Sequence, residues 1–216
     1  MNAIFDEAEL ATMKFGVGQP VPRNEDPTLL TGRGRYTDDL NRDGQAYGVF
    51  VRSSVAHGVL NGIDASDALE MPGVLAVYTG ADLEAYGSIR CAAPLKNADG
   101  SEMRNPTRPS FPTDRVRFAG DPVALVVAET AVQARDAAEA VILDIDPLPA
   151  VTDARAAAAD GAPQLYDTTP NNVVLDYRYG DREAVAKAFA EAAHVTRLTI
   201  RNNRVIVSAL EPRAAI

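Results

Sequence analysis

The sequence predicts a mixed α/β fold of the α+β class, and three stretches carry that expectation. Pro122-Val-Ala-Leu-Val-Val-Ala128 is a continuous apolar run of strand length. A helical stretch from Thr130 to Ala140 follows at once, and Val141-Ile-Leu-Asp-Ile-Asp146 then reads as a second strand. Strand, helix and strand with short joins make one layer of sheet under helix. The same alternation restarts at Val173, so an incomplete second α/β unit is expected after the first.

The elements follow in order. Residues 1–20 read as an acidic, weakly amphipathic arm, mobile or docked on a partner. Residues 21–45 are dense in turn formers, among them Pro22, Pro27, Gly32, Gly34 and Gly44, and should be mostly irregular. Tyr47 to Ser53 reads as a strand. Asp64 to Glu70 makes a short helix that Pro72-Gly73 stops. Val74 to Thr79 is apolar and short enough for a buried strand, and Ala81 to Tyr86 gives one or two turns of helix. Residues 88–113 hold four prolines and no periodic pattern. So long an irregular stretch is either disordered or held down by another surface. Thr130 and Gln133 have the spacing of a capping box at the start of the next helix.

Pro147-Leu-Pro149 breaks the pattern. The boundaries expected are an arm over 1–20, a first domain over 21–150, a linker over 151–172 and a second unit over 173–216. In that unit Val173 to Tyr179 alternates like a strand. Gly180-Asp181 caps a helix running to about Ala193, with Val185, Phe189 and Ala192 on one face. Val195–Ile200 and Arg204–Leu210 are further strand candidates, with Asn202-Asn203 able to turn a hairpin. The last residues are apolar and nothing covers the new layer. A two-strand, one-helix unit alone is marginal in water, so a truncated chain is expected.

Composition narrows the function. The 216 residues carry 21 Lys+Arg against 30 Asp+Glu, a net charge of −9. Nucleic-acid binding draws on phosphate neutralisation by cations, and anionic membrane surfaces ask for the same, so neither partner is expected. No apolar run approaches the ~18–20 residues of a membrane span, and the acidic start is unlike a signal peptide. The chain reads as cytoplasmic. Cys91 is the sole cysteine, so there is no internal disulfide and no cysteine cluster for zinc or an iron–sulfur centre.

No complete active site emerges from the residues. Gly32-Arg-Gly34 has half of a phosphate loop, but follows no strand and opens no apolar helix. Glycines at tight turns, with Arg33 and Arg35 pairing Asp38 or Asp39, account for it. Ser53-Ser54 and His57 suggest a hydrolase, yet spacing alone shows no base held against a nucleophile. His57-Gly58 as the cap of a strand end is the simpler reading. His194 falls where a helix ends and suits its dipole. Cys91 has Arg90 beside it, which lowers a thiol pKa only with supporting geometry. Asp144 and Asp146 share one side of a strand, and a solvated edge explains them.

Taken in order, several stretches resemble a known family. They are Arg23 to Asp39 with Leu29-Leu-Thr-Gly-Arg-Gly-Arg-Tyr36, Val51-Arg-Ser-Ser-Val-Ala-His57, Met71-Pro-Gly-Val-Leu-Ala-Val-Tyr-Thr-Gly80 and Val116-Arg-Phe-Ala-Gly-Asp-Pro-Val-Ala-Leu-Val-Val-Ala128, followed by Pro147-Leu-Pro-Ala-Val151. This order resembles the start of the large, molybdenum-binding subunit of the xanthine dehydrogenase, aldehyde oxidase and carbon monoxide dehydrogenase family. Residues to about 150 are similar to its α/β hammerhead domain. Residues from about 170, ending Ser208-Ala-Leu-Glu-Pro-Arg213, look like the opening of its molybdopterin-binding domain.

The resemblance implies a part of an oxidoreductase. The full enzyme oxidises aldehydes, purines or other N-heterocycles with oxygen from water. Electrons pass from molybdopterin to iron–sulfur and flavin subunits or domains. The rest of the molybdenum-binding subunit is then a partner, and a homodimer is compatible. The family's pterin loops and late catalytic glutamate have no counterpart in this sequence, so the chain alone is expected to bind no molybdenum cofactor and to be inactive. The family's glutamine upstream of Leu-Glu is absent. Asn202-Asn203-Arg204-Val205 stands there, Asn203 being the nearest side-chain amide, and Arg213 can pair with Glu211 structurally. No catalytic, cofactor-binding or metal residue is carried across. The alternative is a stand-alone, non-catalytic scaffold or interaction module.

Overall fold

β7, the strongest apolar run in the sequence, forms the middle of a sheet. A computed structural model describes residues 23–89, 91–92, 95–203, 205, 209 and 215. Its strands are β1 (Tyr47–Arg52), β2 (Gly58–Asp64), β3 (Val74–Thr79), β4 (Ser88–Ile89), β5 (Arg108–Pro109), β6 (Arg115–Val116), β7 (Pro122–Ala128) and β8 (Ile142–Pro147). The α-helices are α1 (Asp26–Leu30), α2 (Ser66–Glu70), α3 (Ala131–Ala140), α4 (Ala154–Ala157) and α5 (Arg182–Glu191). The chain divides into two compact units, residues 44–197 and the described residues outside that range.

In the larger unit, β1, β7 and β3 make one antiparallel sheet in that order, with Val49 opposite Val126 and Val77 opposite Val126 from the other side. Val51, Ala124 and Val126 turn one face of this sheet onto Ala137 of α3 and Ala68 of α2, and Val141 closes the cluster. Alanines spaced three apart, Ala134 and Ala137, are fully buried and let the helix lie close to the strands. Thr130 caps α3 by accepting the Gln133 N–H at 3.2 Å, and its own hydroxyl donates to Gln133 Oε1 at 2.8 Å. The expected capping residues are therefore in place, with a side-chain contact as the second bond.

The second sheet, β6-β2-β8, is also antiparallel. Leu60 and Val116 meet Val123 in its cluster, so β7 serves both cores. The alternation of β7 allows this, because successive side chains leave opposite faces. Gly58 sits where β2 meets β8. A Cβ there would lie 2.5 Å from Ile145 Cγ2 and 2.9 Å from the Asp146 carbonyl.

Several expectations change. β3 is an edge strand, and Leu75 and Tyr78 remain about half exposed rather than buried. The turn after Gly80 is a single 3-10 turn, Glu84–Tyr86. The stretch 88–113 is held down within the chain: β4 pairs β5, and Lys96 bridges Glu102 across a short hairpin. The Ala98 and Arg104 N–H groups donate to Asp176 and Val174 carbonyls at 2.8 and 3.0 Å. Those bonds dock Val173–Asp176 without completing a ladder. Accordingly 173–179 and 195–200 are not strands, although their side chains alternate. The hairpin expected at Asn202-Asn203 depends on residues 204–210, most of which lie outside the described residues.

In the smaller unit α1 begins at Asp26, with Pro27 in its first turn and Arg23 pairing Asp26 at 2.9 Å. A 3-10 turn follows at Thr37–Asp39, where the Asp39 carboxylate accepts the Tyr36 N–H at 2.9 Å.

Candidate functional site

The residues singled out in the sequence stay apart. Gly32 takes a positive φ of 67° at a turn, and Arg33 donates to the Thr31 hydroxyl at 3.1 Å. No salt bridge joins Arg33 or Arg35 to Asp38 or Asp39, which corrects the expected pairing. His57 is buried. Its Nδ1–H donates to the Pro149 carbonyl at 2.9 Å, and its own carbonyl accepts the Leu148 N–H at 2.8 Å. The ring thus fastens the end of β8 to the start of β2. Its Nε2 is buried without a hydrogen-bond partner, so no serine is activated by it. The Ser53 hydroxyl instead closes on Val55, donating to its carbonyl at 2.9 Å, and Ser54 is exposed.

His194 is exposed beyond the end of α5 and shares a 3.0 Å hydrogen bond with the Thr196 hydroxyl. Cys91 is exposed and forms no disulfide. Asp144 and Asp146 lie on the solvent side of the edge strand β8, with Leu143 and Ile145 turned inward. Arg204, Glu211 and Arg213 lie outside the described residues.

The most developed polar cluster is one the sequence reading passed over. Arg117 follows β6, and only 14% of its side chain is exposed. Its Nε donates to the Leu165 carbonyl at 3.0 Å and its Nη1 to the Arg115 carbonyl at 2.9 Å. Two further bonds reach the two Asp114 carboxylate oxygens at 3.3 and 3.1 Å. The Tyr166 ring lies over the guanidinium at 4.6 Å. Burial pushes the Asp114 carboxyl up, but the bonds and charge of Arg117 outweigh it and hold the group below its usual range. Asp121, which accepts the Arg117 N–H at 3.1 Å, is raised, chiefly by its burial. These groups border a cavity of about 130 Å³ with Arg108, Phe118 and Pro112 on its walls. The signal in the sequence was the Val116-Arg-Phe-Ala-Gly-Asp121 stretch, which gives no hint that Arg117 reaches forward to Leu165.

A second, open cavity of about 380 Å³ lies between the 97–104 hairpin and Val173–Arg178. A pterin phosphate asks for convergent backbone N–H groups or free cations. In the larger cavity Arg104 already donates to the Val173 carbonyl, and Asp99 and Asp176 add negative charge. In the smaller one Arg117 is committed to four acceptors. Among the described residues no three His, Cys, Asp or Glu side chains gather to hold a metal ion. The described residues therefore do not fit a molybdopterin, and no chemical step is assigned to them.

Residues 31–149 match the a/b hammerhead domain of aldehyde oxidase and xanthine dehydrogenase. This chain belongs to that family. The hammerhead match spans β1 through β8, and thus both sheets and α3. The nicotine 6-hydroxylase large subunit of Paenarthrobacter nicotinovorans is 42% identical over 204 residues, covering 93% of this chain and 24% of that protein. The xanthine dehydrogenase molybdenum-binding subunit of Escherichia coli O157:H7 is 36% identical over 138 residues, covering 64% of this chain and 18% of that protein. The hammerhead fold superposes on quinoline 2-oxidoreductase from Pseudomonas putida 86 with a TM-score of 0.66 at 35% identity, over 86% of this chain and 23% of that one. The chain spans about a quarter or less of the proteins it matches. No described helix is long and apolar enough to cross a membrane.

Proposed function

We propose that this chain is the hammerhead part, over residues 21–150, and from about residue 173 the opening of the molybdopterin-binding domain, of a molybdenum hydroxylase large subunit. The complete enzyme hydroxylates an N-heteroaromatic ring. The observation that carries the reading is the 42% identity along 93% of the chain with a nicotine 6-hydroxylase large subunit. Support comes from the likeness to quinoline 2-oxidoreductase, whose name also points to a nitrogen heterocycle. The reaction balances as ring C–H plus water giving ring C–OH, two protons and two electrons. A molybdopterin held by other parts of the full subunit supplies the redox centre, and iron–sulfur and flavin partners take the electrons onward in the cytoplasm.

The residues described here act as the frame. β7 joins two cores, and Arg117 ties the 160s segment to the hammerhead, so the frame presents one fixed surface to the rest of the enzyme. No catalytic, cofactor or metal residue is assigned to it. The test is to co-express the complete large subunit with its companion subunits and follow dye reduction with nicotine, quinoline, an aldehyde and carbon monoxide. Turnover of a heteroaromatic ring is expected. Turnover of the aldehyde or carbon monoxide with none of the rings would overturn the substrate class.

A further inference from the structure

We propose that the apolar stripe of α5 is a docking face for a later stretch of the same large subunit. The helix is well made: the Asp181 carboxylate accepts the Ala184 N–H at 2.9 Å, and the sequence Arg182-Glu-Ala-Val-Ala-Lys-Ala-Phe-Ala-Glu191 is rich in alanine. Its charges are confined. Glu183, Lys187 and Glu191 follow each other at four-residue steps along one line, and Lys187 reaches Glu191 at 3.9 Å. Beside that line Ala184, Ala188, Val185 and Phe189 make a continuous apolar arc. Yet none of its residues is buried, and Val185 and Phe189 are 53% and 60% exposed. A capped helix with a wide apolar arc is a helix with a covered face in its working state.

The occupant follows from the architecture around it. The stretch leading into the helix is fixed on the hammerhead: Asn97 Oδ1 accepts the Asp176 N–H at 2.9 Å, and Arg104 holds the Val173 carbonyl. The helix is thus presented at a set place rather than left on a free tether. Tyr177 and Tyr179, between anchor and helix, are also exposed. Relatives of this chain are about four times as long as the part it matches. A large subunit of that kind carries several hundred further residues, and the apolar arc fits an apolar layer among them. This rests on the large-subunit reading above.

The experiment uses the complete large subunit assembled with its companion subunits. The substitution Phe189→p-benzoylphenylalanine places a photo-crosslinker on the arc, and the crosslinked peptide is identified by mass spectrometry. A peptide from later in the same polypeptide is the expected result. A peptide from a companion subunit or from a second copy, or no crosslink, would overturn the proposal. Amide exchange gives an independent reading. The amides of Val185–Glu191 should exchange at least about 100-fold more slowly than those of an exposed helix. Rates typical of an exposed helix count against it. The double variant Val185→Asp, Phe189→Asp should retain less than about a tenth of the bound molybdenum, while Val132→Asp, on the exposed side of α3, retains it all. Full molybdenum content in the double variant would also sink the idea. Failure to oxidise a heteroaromatic ring while the crosslink forms would refute the substrate class and leave the docking face standing.

Discussion

Replacing Arg117 by alanine should unfasten the 160s segment and destabilise the hammerhead by about 3 kcal/mol. Hydrogen bonds from a charged donor each contribute roughly 1.5–3 kcal/mol when their acceptors lose them on truncation. Two such bonds run to the Leu165 and Arg115 carbonyls. The Asp114 partner is 65% exposed, so that ion pair adds only about 0–1 kcal/mol. The stack on Tyr166 contributes roughly 0.5–2 kcal/mol. These terms are not additive, because the released segment can rehydrate its carbonyls, and about 3 kcal/mol is the central expectation. Urea unfolding followed by circular dichroism should then show a midpoint lower by about 1.5 M at a slope of ~2 kcal/mol/M. Amide exchange should quicken first at Leu165 and Thr169, whose N–H groups bond Asn172 Oδ1 and the Tyr166 carbonyl. Arg117→Lys keeps the charge but not the planar fork, and should recover less than half of the loss. A midpoint shift under about 0.3 M in Arg117→Ala, with exchange at 165–172 unchanged, would refute the reasoning.

Gly58→Ala forces a Cβ against Ile145 and the Asp146 carbonyl; overpacking of about 2 kcal/mol should lower Tm by about 4–8 °C, and an unchanged melting curve would count against the tight crossing. Asp121→Asn tests a raised carboxyl. The folded group binds its proton more tightly than the unfolded one, so wild-type stability falls as pH rises from about 4 through the folded value. The variant lacks that fall, so its stability relative to wild type should grow between pH 3.5 and 6 in urea titrations; a pH-independent difference contradicts it. His57→Ala should lower stability by about 1–3 kcal/mol through the lost bond to Pro149 while leaving any ester hydrolysis by the chain unaltered. Loss of ester turnover in that variant would revive the serine–histidine reading. Val126→Ala, at the shared centre of the first sheet, should destabilise by about 2–3 kcal/mol in thermal unfolding.

The local chemistry of the fold was legible where pattern and neighbour agree. β1, β3, β7, α3 and β8 are all readable from apolar runs and caps, because each buries the side the pattern offers. β2 was not. Gly58-Val-Leu-Asn-Gly-Ile-Asp64 has two glycines and an asparagine in a strand position, and only its pairing with β8 makes it one. Val173–Tyr179 erred the other way, since alternation describes a preference and a ladder needs a neighbour. The partition into two sheets was hidden as well, because it rests on which strand each run pairs with. The polar cluster at Arg117 escaped for a related reason. Its acceptor at Leu165 is 48 residues away, and nothing in either stretch announces the other. The histidine pairing with Pro149 spans 92 residues and was equally invisible, although the expectation of a strand-end role was close to its use.

The place of β7 between β1 and β3 has a consequence during synthesis. Both neighbours leave the ribosome before it does, β3 ending at Thr79 and β7 at Ala128. At ~5–20 residues per second, the gap of about 50 residues lasts roughly 3–10 s. Throughout that interval the nascent chain holds two apolar strands whose native partner has not yet been made. Direct pairing of β1 with β3 is then the available error, and undoing it must precede insertion of the middle strand. The long, proline-studded excursion between them is thus also a delay line, and slowing or recoding translation across residues 88–113 should change the yield of soluble protein more than the same change made after Ala128.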